Sequence, residues 1–339
     1  MPSDEQLMRG ALRLAKRAKG ETSPNPLVGA IMARGGKIIG RGWHHRAGLP
    51  HAEVEAIADA KHKGNPTKGA TLYVTLEPCS TSGRMPPCTR AIIGAGISRV
   101  VVAATDPNPE HAGHAFRLLK RQGITVEHGV LAGQATEINV AFNHWIMTGL
   151  PFVTVKAAMT LDGKIATAGG ESKWITGPEA RREGMKLRHE ADAILVGVNT
   201  IIADDPGLTL RDVRRPKAGW RGPALRRIIL DPRARTPLVS QVLNDEFVQH
   251  TTVVVSPGAP AGRLAKLKQC CRIIKCPMAK QGFNLKSLLG KLGRQDCTHL
   301  LVEGGGETNA AFIEAGLAAR AANGSVCRCP VAVSYTHLR

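Results

Sequence analysis

Long apolar runs are missing from this chain of 339 residues, and nothing approaches the ~18 consecutive apolar residues of a bilayer-spanning helix. No apolar region follows the opening Met1-Pro-Ser-Asp4, so no secretory leader is expected and a cytoplasmic location is. Aromatic residues make up only 4%, which leaves few platforms for stacking unpaired bases. Acidic side chains are also in deficit: 27 Asp and Glu stand against 46 Lys and Arg, a formal charge of +19. That excess suits nucleic acid or a phosphorylated small molecule, and the lack of aromatics argues against the first. No internal repeat is evident, and neither a G-x-G-x-x-G fingerprint nor a Cys-x-x-Cys pair occurs. The eight cysteines are irregularly spaced, and in a reducing compartment such residues bind metal or sit buried.

With 43% hydrophobic and 22% charged residues the chain reads as globular, and its length exceeds one ordinary core. Residues 3–19 read as an amphipathic helix capped by Ser3 or Asp4. Residues 27–33 and 37–43 read as strands turned by Gly35-Gly36. Strands then alternate with helices: a helix opening at His51, a strand at 70–76, a helix at 88–94, and strands at 100–104 and 124–127 about a helix at 114–122. Residues 133–147 read as one helix leading to a boundary near Thr148-Gly149-Leu150-Pro151. A second α/β pattern follows, with strands at 152–155, 193–196, 227–230, 252–255 and 300–302, and a helix from Pro178 to Glu190. From about residue 318 the pattern dissolves.

The chemistry lies in His51-Ala-Glu53, Pro78-Cys79 and Pro87-Cys88. One imidazole and two thiols fill three positions of a catalytic zinc, the fourth stays open for water, and Glu53 remains free to move a proton. Residues i and i+2 do not share a helix face, so His51 and Glu53 can serve one centre only from a helix start, which Pro50 suits. Cys88, behind two prolines, likewise opens a helix whose dipole favours thiolate. Zinc lowers the pKa of bound water from about 16 to roughly 7. Glu53 would accept that proton and hand it to a ring nitrogen and to leaving ammonia, chemistry that fits an amino-substituted heterocycle. A structural zinc would instead need a fourth ligand, for which His44, His45 and His62 are candidates; a buried His and two buried Cys without metal is the third possibility.

These residues belong to longer motifs: Pro24-Asn25-Pro26-Leu27-Val28-Gly29, Gly48-Leu49-Pro50-His51-Ala52-Glu53-Val54, Leu76-Glu77-Pro78-Cys79 and Gly83-Arg84-Met85-Pro86-Pro87-Cys88. In the second half stand Leu161-Asp162-Gly163-Lys164, Ser172-Lys173-Trp174-Ile175-Thr176-Gly177, Ala203-Asp204-Asp205-Pro206 and Leu301-Val302-Glu303-Gly304-Gly305-Gly306. Over residues 4–317 the chain resembles the bifunctional deaminase–reductase family of bacterial riboflavin biosynthesis, in which the eight-residue gap between the two cysteines is typical. Departures from the family pattern are Thr81, where many members carry His, Met85 for a common Thr, and Ala318-Ala319-Arg320 after Leu317, where members continue with Val-Asp-Glu-Leu.

The resemblance implies an α/β fold: a cytidine-deaminase-like αβα domain over residues 1–148 and a dihydrofolate-reductase-like α/β domain over residues 151–317, incomplete at its C-terminus. Residues 318–339 would be an atypical tail, truncated or foreign. It also implies zinc-dependent deamination of 2,5-diamino-6-(5-phosphoribosylamino)pyrimidin-4-one, then NADPH-dependent reduction of the ribosyl to a ribityl chain. Zn²⁺ would sit on His51, Cys79 and Cys88, with Glu53 as proton carrier. NADPH would contact Ala158, Trp174, Thr200, Asp204 and Gly305, and substrate Ser172, Arg188, Leu208, Arg211 and Glu303. A small phosphorylated pyrimidine is then the partner, without nucleic acid or membrane, and the intact family form implies a homo-oligomer.

Read without the family, these positions stay open. Gly304-Gly305-Gly306 between strand and helix suits a phosphate, or only a tight turn. Arg188 fits a solvated helix end as well as a phosphate, and Trp174 a core as well as a cofactor. Ser172, Thr200 and Asp204 have ordinary capping roles, Ala158 and Leu208 ordinary packing roles, and Glu303 could be a buried ion. The rivals are a deaminase of nucleic-acid or nucleoside bases, favoured by the charge, and a zinc-binding protein with a non-functional reductase half, favoured by the tail.

Overall fold

Gly35 and Gly36 take φ of +54° and +76°, a left-handed pair that turns β1 (Gly29–Arg34) back along antiparallel β2 (Lys37–Trp43). Before them, α1 (Asp4–Ala15) is closed by a reciprocal capping box between Ser3 and Gln6. The computed structural model describes residues 2–81, 86–160, 163–165, 175–211 and 224–323. The chain divides into two units, Met1–Thr148 and Gly149–Arg339. Gly83, Arg84, Met85, Leu161, Asp162, Ser172, Trp174 and the tail from residue 324 lie outside the described residues.

The first unit continues with α2 (Ala52–His62), β3 (Thr71–Leu76), α3 (Cys88–Gly94), β4 (Arg99–Ala104), α4 (His114–Arg121), β5 (Thr125–His128), α5 (Ala132–Ile138) and α6 (Val140–Thr148). Its sheet runs β2-β1-β3-β4-β5, with β1 antiparallel to β2 and β3, and with β3, β4 and β5 parallel. Side-chain alternation splits the core in two. Ala30, Met32, Leu72, Val74, Val100 and Val102 pack on one face of the sheet, and Ile31, Tyr73, Val101 and Ala103 on the other.

Two glycines set how deep α2 lies. A Cβ on Gly40 would stand 2.3 Å from the Ala56 carbonyl oxygen, and one on Gly42 would stand 2.3 Å from that of Ala52. Only a strand without side chains at these positions lets α2 lie this close, and α2 is the helix that carries Glu53. The single helix expected over residues 133–147 is in fact α5 and α6, interrupted at Asn139. Asn139 is 4% exposed and exchanges two hydrogen bonds with the Leu27 backbone, at 2.7 and 2.9 Å. Satisfying that distant peptide takes precedence over continuing the helix.

The second unit runs β6 (Phe152–Ala157), α7 (Pro178–Glu190), β7 (Ala193–Gly197), α8 (Val198–Asp204), β8 (Arg226–Leu230), α9 (Gln241–Asn244), β9 (Thr251–Val255), α10 (Ala261–Cys270), β10 (Arg272–Lys275), a small hairpin of β11 (Met278–Ala279) and β12 (Gly282–Phe283), α11 (Leu285–Gly293), β13 (His299–Val302), α12 (Gly306–Glu314) and β14 (Arg320–Asn323). The main sheet runs β10-β9-β8-β7-β13-β6-β14, and every described pair in it is parallel. Its strands are near-continuous apolar runs, as a sheet covered on both faces requires.

Although the α/β pattern dissolves in the sequence from about residue 318, the sheet continues for one more strand. Residues 320–323 pair with β6 and extend the sheet beyond it. The Arg-Ala-Ala-Asn string has little strand propensity of its own, and pairing with β6 decides its conformation. Cys276 and Cys297 are buried, as small core residues would be, whereas Cys270 is exposed and Cys271 half-buried. Among the described residues no helix is long and apolar enough to cross a membrane.

Candidate active sites

His51 is the N-cap of α2, with extended backbone at φ −78° and ψ 164°, so its ring projects off the helix end. Cys88 is the first residue of α3, behind Pro87 as N-cap. Cys79 follows the carboxyl end of β3. The ligand atoms of these three residues lie within 4.8 Å of one another. His51 Nδ1 is 3.2 Å from Cys88 Sγ and 3.6 Å from Cys79 Sγ. Zinc bonds of about 2.3 Å to sulfur and 2.0 Å to nitrogen, in a tetrahedron, separate such donors by about 3.5 Å, so the three residues fit that ion. Three donors of this kind leave one position for water.

The local electrostatics favour a cation. The Cys88 backbone N–H donates to Cys79 Sγ at 3.2 Å. A hydrogen bond from Cys88, aided by His51 and that N–H, brings the Cys79 thiol down to about 4. Its thiolate, together with burial, pushes the Cys88 thiol up. The hydrogen bond to Cys79 raises His51, against its burial. Glu53 is only 3% exposed, and burial pushes its carboxyl up to about 7, the range for taking and returning a proton at neutral pH.

His44 is near but engaged. Its Nδ1 bonds the Pro50 carbonyl at 3.1 Å, which makes that nitrogen the donor, and its Nε2 accepts from Asn25 Nδ2 at 3.0 Å. Neither His44 nor His45 nor His62 joins the three-residue cluster.

Two contributors went unrecognised in the sequence. Asn25 orients His44, as just described. Glu77, 5% exposed, accepts the backbone N–H groups of Asp106, Gly113 and Ala115 at 3.2, 2.9 and 3.0 Å. It therefore ties the strand end that leads to Cys79 to the loop before α4. Its only sequence signal is a carboxylate placed just before Pro78-Cys79.

In the second unit the candidate residues gather outside the carboxyl ends of β6, β13 and β7, where open parallel sheets bind ligands. Ala158 follows β6 and is half-buried. Gly305 is the N-cap of α12 and Gly197 that of α8; neither offers a side chain to cap its helix. The first-turn amides of both helices are thus left to a ligand or to water. Thr200 Oγ1 is 3.8 Å from the point a Gly305 Cβ would occupy, and Asp204, one turn beyond Thr200, is exposed. Part of the glycine run serves packing: a Cβ on Gly304 would lie 2.4 Å from Thr308 Cβ.

Arg188 and Glu303 turn out to be partners. Arg188 Nε and Nη2 bind the Glu303 carboxylate at 2.7 and 3.1 Å, and Lys156 Nζ lies 3.4 Å from it. Burial alone would raise the Glu303 carboxyl, but Arg188 and Lys156 outweigh it and hold it below the usual range. Lys156, the charged residue of β6, is the third member of this cluster, a role not assigned to it from sequence. Leu208 is 2% exposed with its side chain in the core, so only its backbone can face a ligand. Arg211 is exposed.

Comparison with known proteins bears on both halves. Two family models match: the cytidine and deoxycytidylate deaminase zinc-binding region over residues 1–104, and the RibD C-terminal domain over residues 151–321. The riboflavin biosynthesis protein RibD of Aquifex aeolicus (strain VF5) is 47% identical over 313 residues, 92% of this chain and 84% of that protein. The protein of the same name from Escherichia coli (strain K12) is 40% identical over 324 residues, 93% and 85% of the two chains. Among solved structures, Acinetobacter baumannii RibD, form 1, superposes with a TM-score of 0.83 at 37% identity, covering 94% of this chain and 85% of its own. A diaminohydroxyphosphoribosylaminopyrimidine deaminase/5-amino-6-(5-phosphoribosylamino)uracil reductase from Thermotoga maritima gives 0.79 at 34% identity, with the same coverage of 94% and 85%.

Proposed function

Since the chain belongs to the RibD family of riboflavin biosynthesis and joins a zinc-dependent deaminase to a reductase, we propose that its two halves act in turn on one phosphoribosylated pyrimidine. The first half takes 2,5-diamino-6-(5-phosphoribosylamino)pyrimidin-4-one. His51, Cys79 and Cys88 hold Zn²⁺, which supplies an activated water when bound. Glu53 would take one proton from that water and deliver it to the ring nitrogen, then take the remaining proton from the added hydroxyl and pass it to the amine, which leaves as ammonia. Its burial keeps bulk water from competing for the proton, and its poise near 7 suits transfer in both directions. Glu77 and the two glycines of β2 keep Cys79 and α2 in register with it.

The second half would then reduce the C1′=N bond of 5-amino-6-(5-phosphoribosylamino)uracil in its ring-opened imine form, hydride going to C1′ and a proton to the nitrogen. NADPH supplies the hydride when bound. The uncapped start of α12 at Gly305, with Thr200 beside it, suits its phosphates, while Ala158, Asp204 and Trp174 complete its seat. Arg188, Lys156 and Glu303 form a charge cluster at the strand ends that orients substrate hydroxyls and phosphate, with Ser172, the Leu208 backbone and Arg211.

The observation that carries the deaminase reading is a fully buried carboxylate beside a three-ligand cluster. In Glu53→Gln, zinc content measured by metal analysis stays at one per chain, while ammonia release falls by roughly 10²–10⁴-fold. Undiminished turnover would remove Glu53 from the mechanism.

A further inference from the structure

Two non-glycine residues with left-handed backbone lie three positions apart in one loop: Asp205 at φ +40° and Leu208 at φ +51°. For leucine that region is a steric outlier, and it persists only where the surroundings over-determine it, as they often do at ligand clamps. Three bonds do so here. Arg227 Nη1 donates to the Gly207 carbonyl at 2.9 Å, Arg188 Nη1 donates to the Thr209 carbonyl at 2.9 Å, and Asp205 Oδ1 accepts the Gln241 N–H at 2.9 Å. The loop is held by two of its carbonyls and by the Asp205 side chain, while the amides of Gly207, Leu208 and Thr209 have no acceptor among the described residues.

Arg227 is the deepest of these anchors, at 1% exposed. Its fork binds Asp245 in bidentate fashion, Nε donates to Thr251 Oγ1 at 2.9 Å, and Nη2 also donates to the Val242 carbonyl at 3.0 Å. A buried ion pair is weak evidence for stability, since an apolar side chain would fill the same space at a smaller desolvation cost. What an apolar side chain cannot do is fix the Gly207 carbonyl.

We propose that Arg227 is a positioning residue of the reductase half, holding Gly207-Leu208-Thr209 in the strained form that presents free amides to the phosphate-bearing substrate. It touches no ligand, because its donors are already engaged. This rests on reading residues 205–211 as a substrate loop.

The test uses the whole chain, following NADPH oxidation on 5-amino-6-(5-phosphoribosylamino)uracil. A lysine cannot serve Asp245, Thr251 and Gly207 together, so Arg227→Lys raises KM for this substrate by about tenfold, with kcat and the KM for NADPH within about twofold. Val253→Ala, a core truncation on the adjacent strand, lowers the unfolding midpoint without moving KM. Where Arg227→Lys does not fold, Asp245→Asn carries the test: it leaves the arginine in place, loosens its fork and raises KM in the same direction. An unchanged KM in folded Arg227→Lys or Asp245→Asn overturns the proposal. Arg211→Ala separates the two failures. If it raises KM while the other variants do not, the loop binds substrate and only the role of Arg227 is lost. If it too leaves KM unchanged, the loop reading fails as well.

Discussion

Glu53 and Glu303 are both buried carboxylates at candidate site positions, yet their surroundings drive them in opposite directions. Around Glu53 burial dominates and the proton is easily held; around Glu303 two cations dominate and the charge is kept. The place of Glu53 beside the His51, Cys79 and Cys88 cluster was legible in sequence because it stands two residues from His51. The partners of Glu303 and Glu77 were not: Arg188 and Lys156 lie 115 and 147 residues from Glu303, and those of Glu77 lie 29 to 38 residues away. His299 shows the same distance effect and yields a pH prediction. It is fully buried: Nδ1 donates to the Glu190 carbonyl at 3.0 Å and Nε2 accepts from Thr154 at 2.9 Å, so the ring is neutral. Burial lowers its folded-state pKa. The unfolded chain, with His near about 6.5, therefore binds the proton first, and this group's contribution to stability is lost as pH falls below that value. Urea midpoints should drop between pH 7.5 and 5.5, and the drop should shrink in His299→Gln; an equal drop in both chains would exclude His299 as its source.

At the scale of elements, proline and glycine were the reliable guides. Pro50, Pro87 and Pro178 mark three helix starts that the structure contains, and all are visible in sequence because they act on their own backbone. Asn139 and β14 were missed because their conformations are decided by Leu27 and by β6, through contacts no local pattern encodes. α8 and α10 escaped notice for want of a side-chain cap, and α11 escaped notice although Asn284 caps it. The contact of α2 with β2 gives a direct test. In Gly42→Ala the new methyl meets backbone atoms of Ala52 and Ala56 at 2.3 and 2.4 Å, which side-chain motion cannot relieve. Overpacking of this kind costs about 1–3 kcal/mol, and shifting α2 moves His51 and Glu53 off the cysteines. A lowered melting temperature together with substoichiometric zinc is expected; full zinc occupancy would show that the helix can back away without disturbing the site.

For the molecule as a whole, each unit has its own sheet and its own core. The two reactions should therefore separate under metal removal. After chelation, ammonia release is lost, while NADPH oxidation on already deaminated substrate stays within about twofold; loss of both would tie the reductase to the metal. Strand order adds a consequence for how the protein is made. β6 is the first strand of the second unit to leave the ribosome, yet its neighbours in the sheet are β13 and β14, the last two described. All strands of the first unit fall between residues 29 and 128 and can pair while synthesis continues. β6 ends at residue 157 while β13 begins at 299 and β14 at 320, so β6 waits with both edges open, a mostly apolar strand in need of protection until about 140 to 165 further residues have been added.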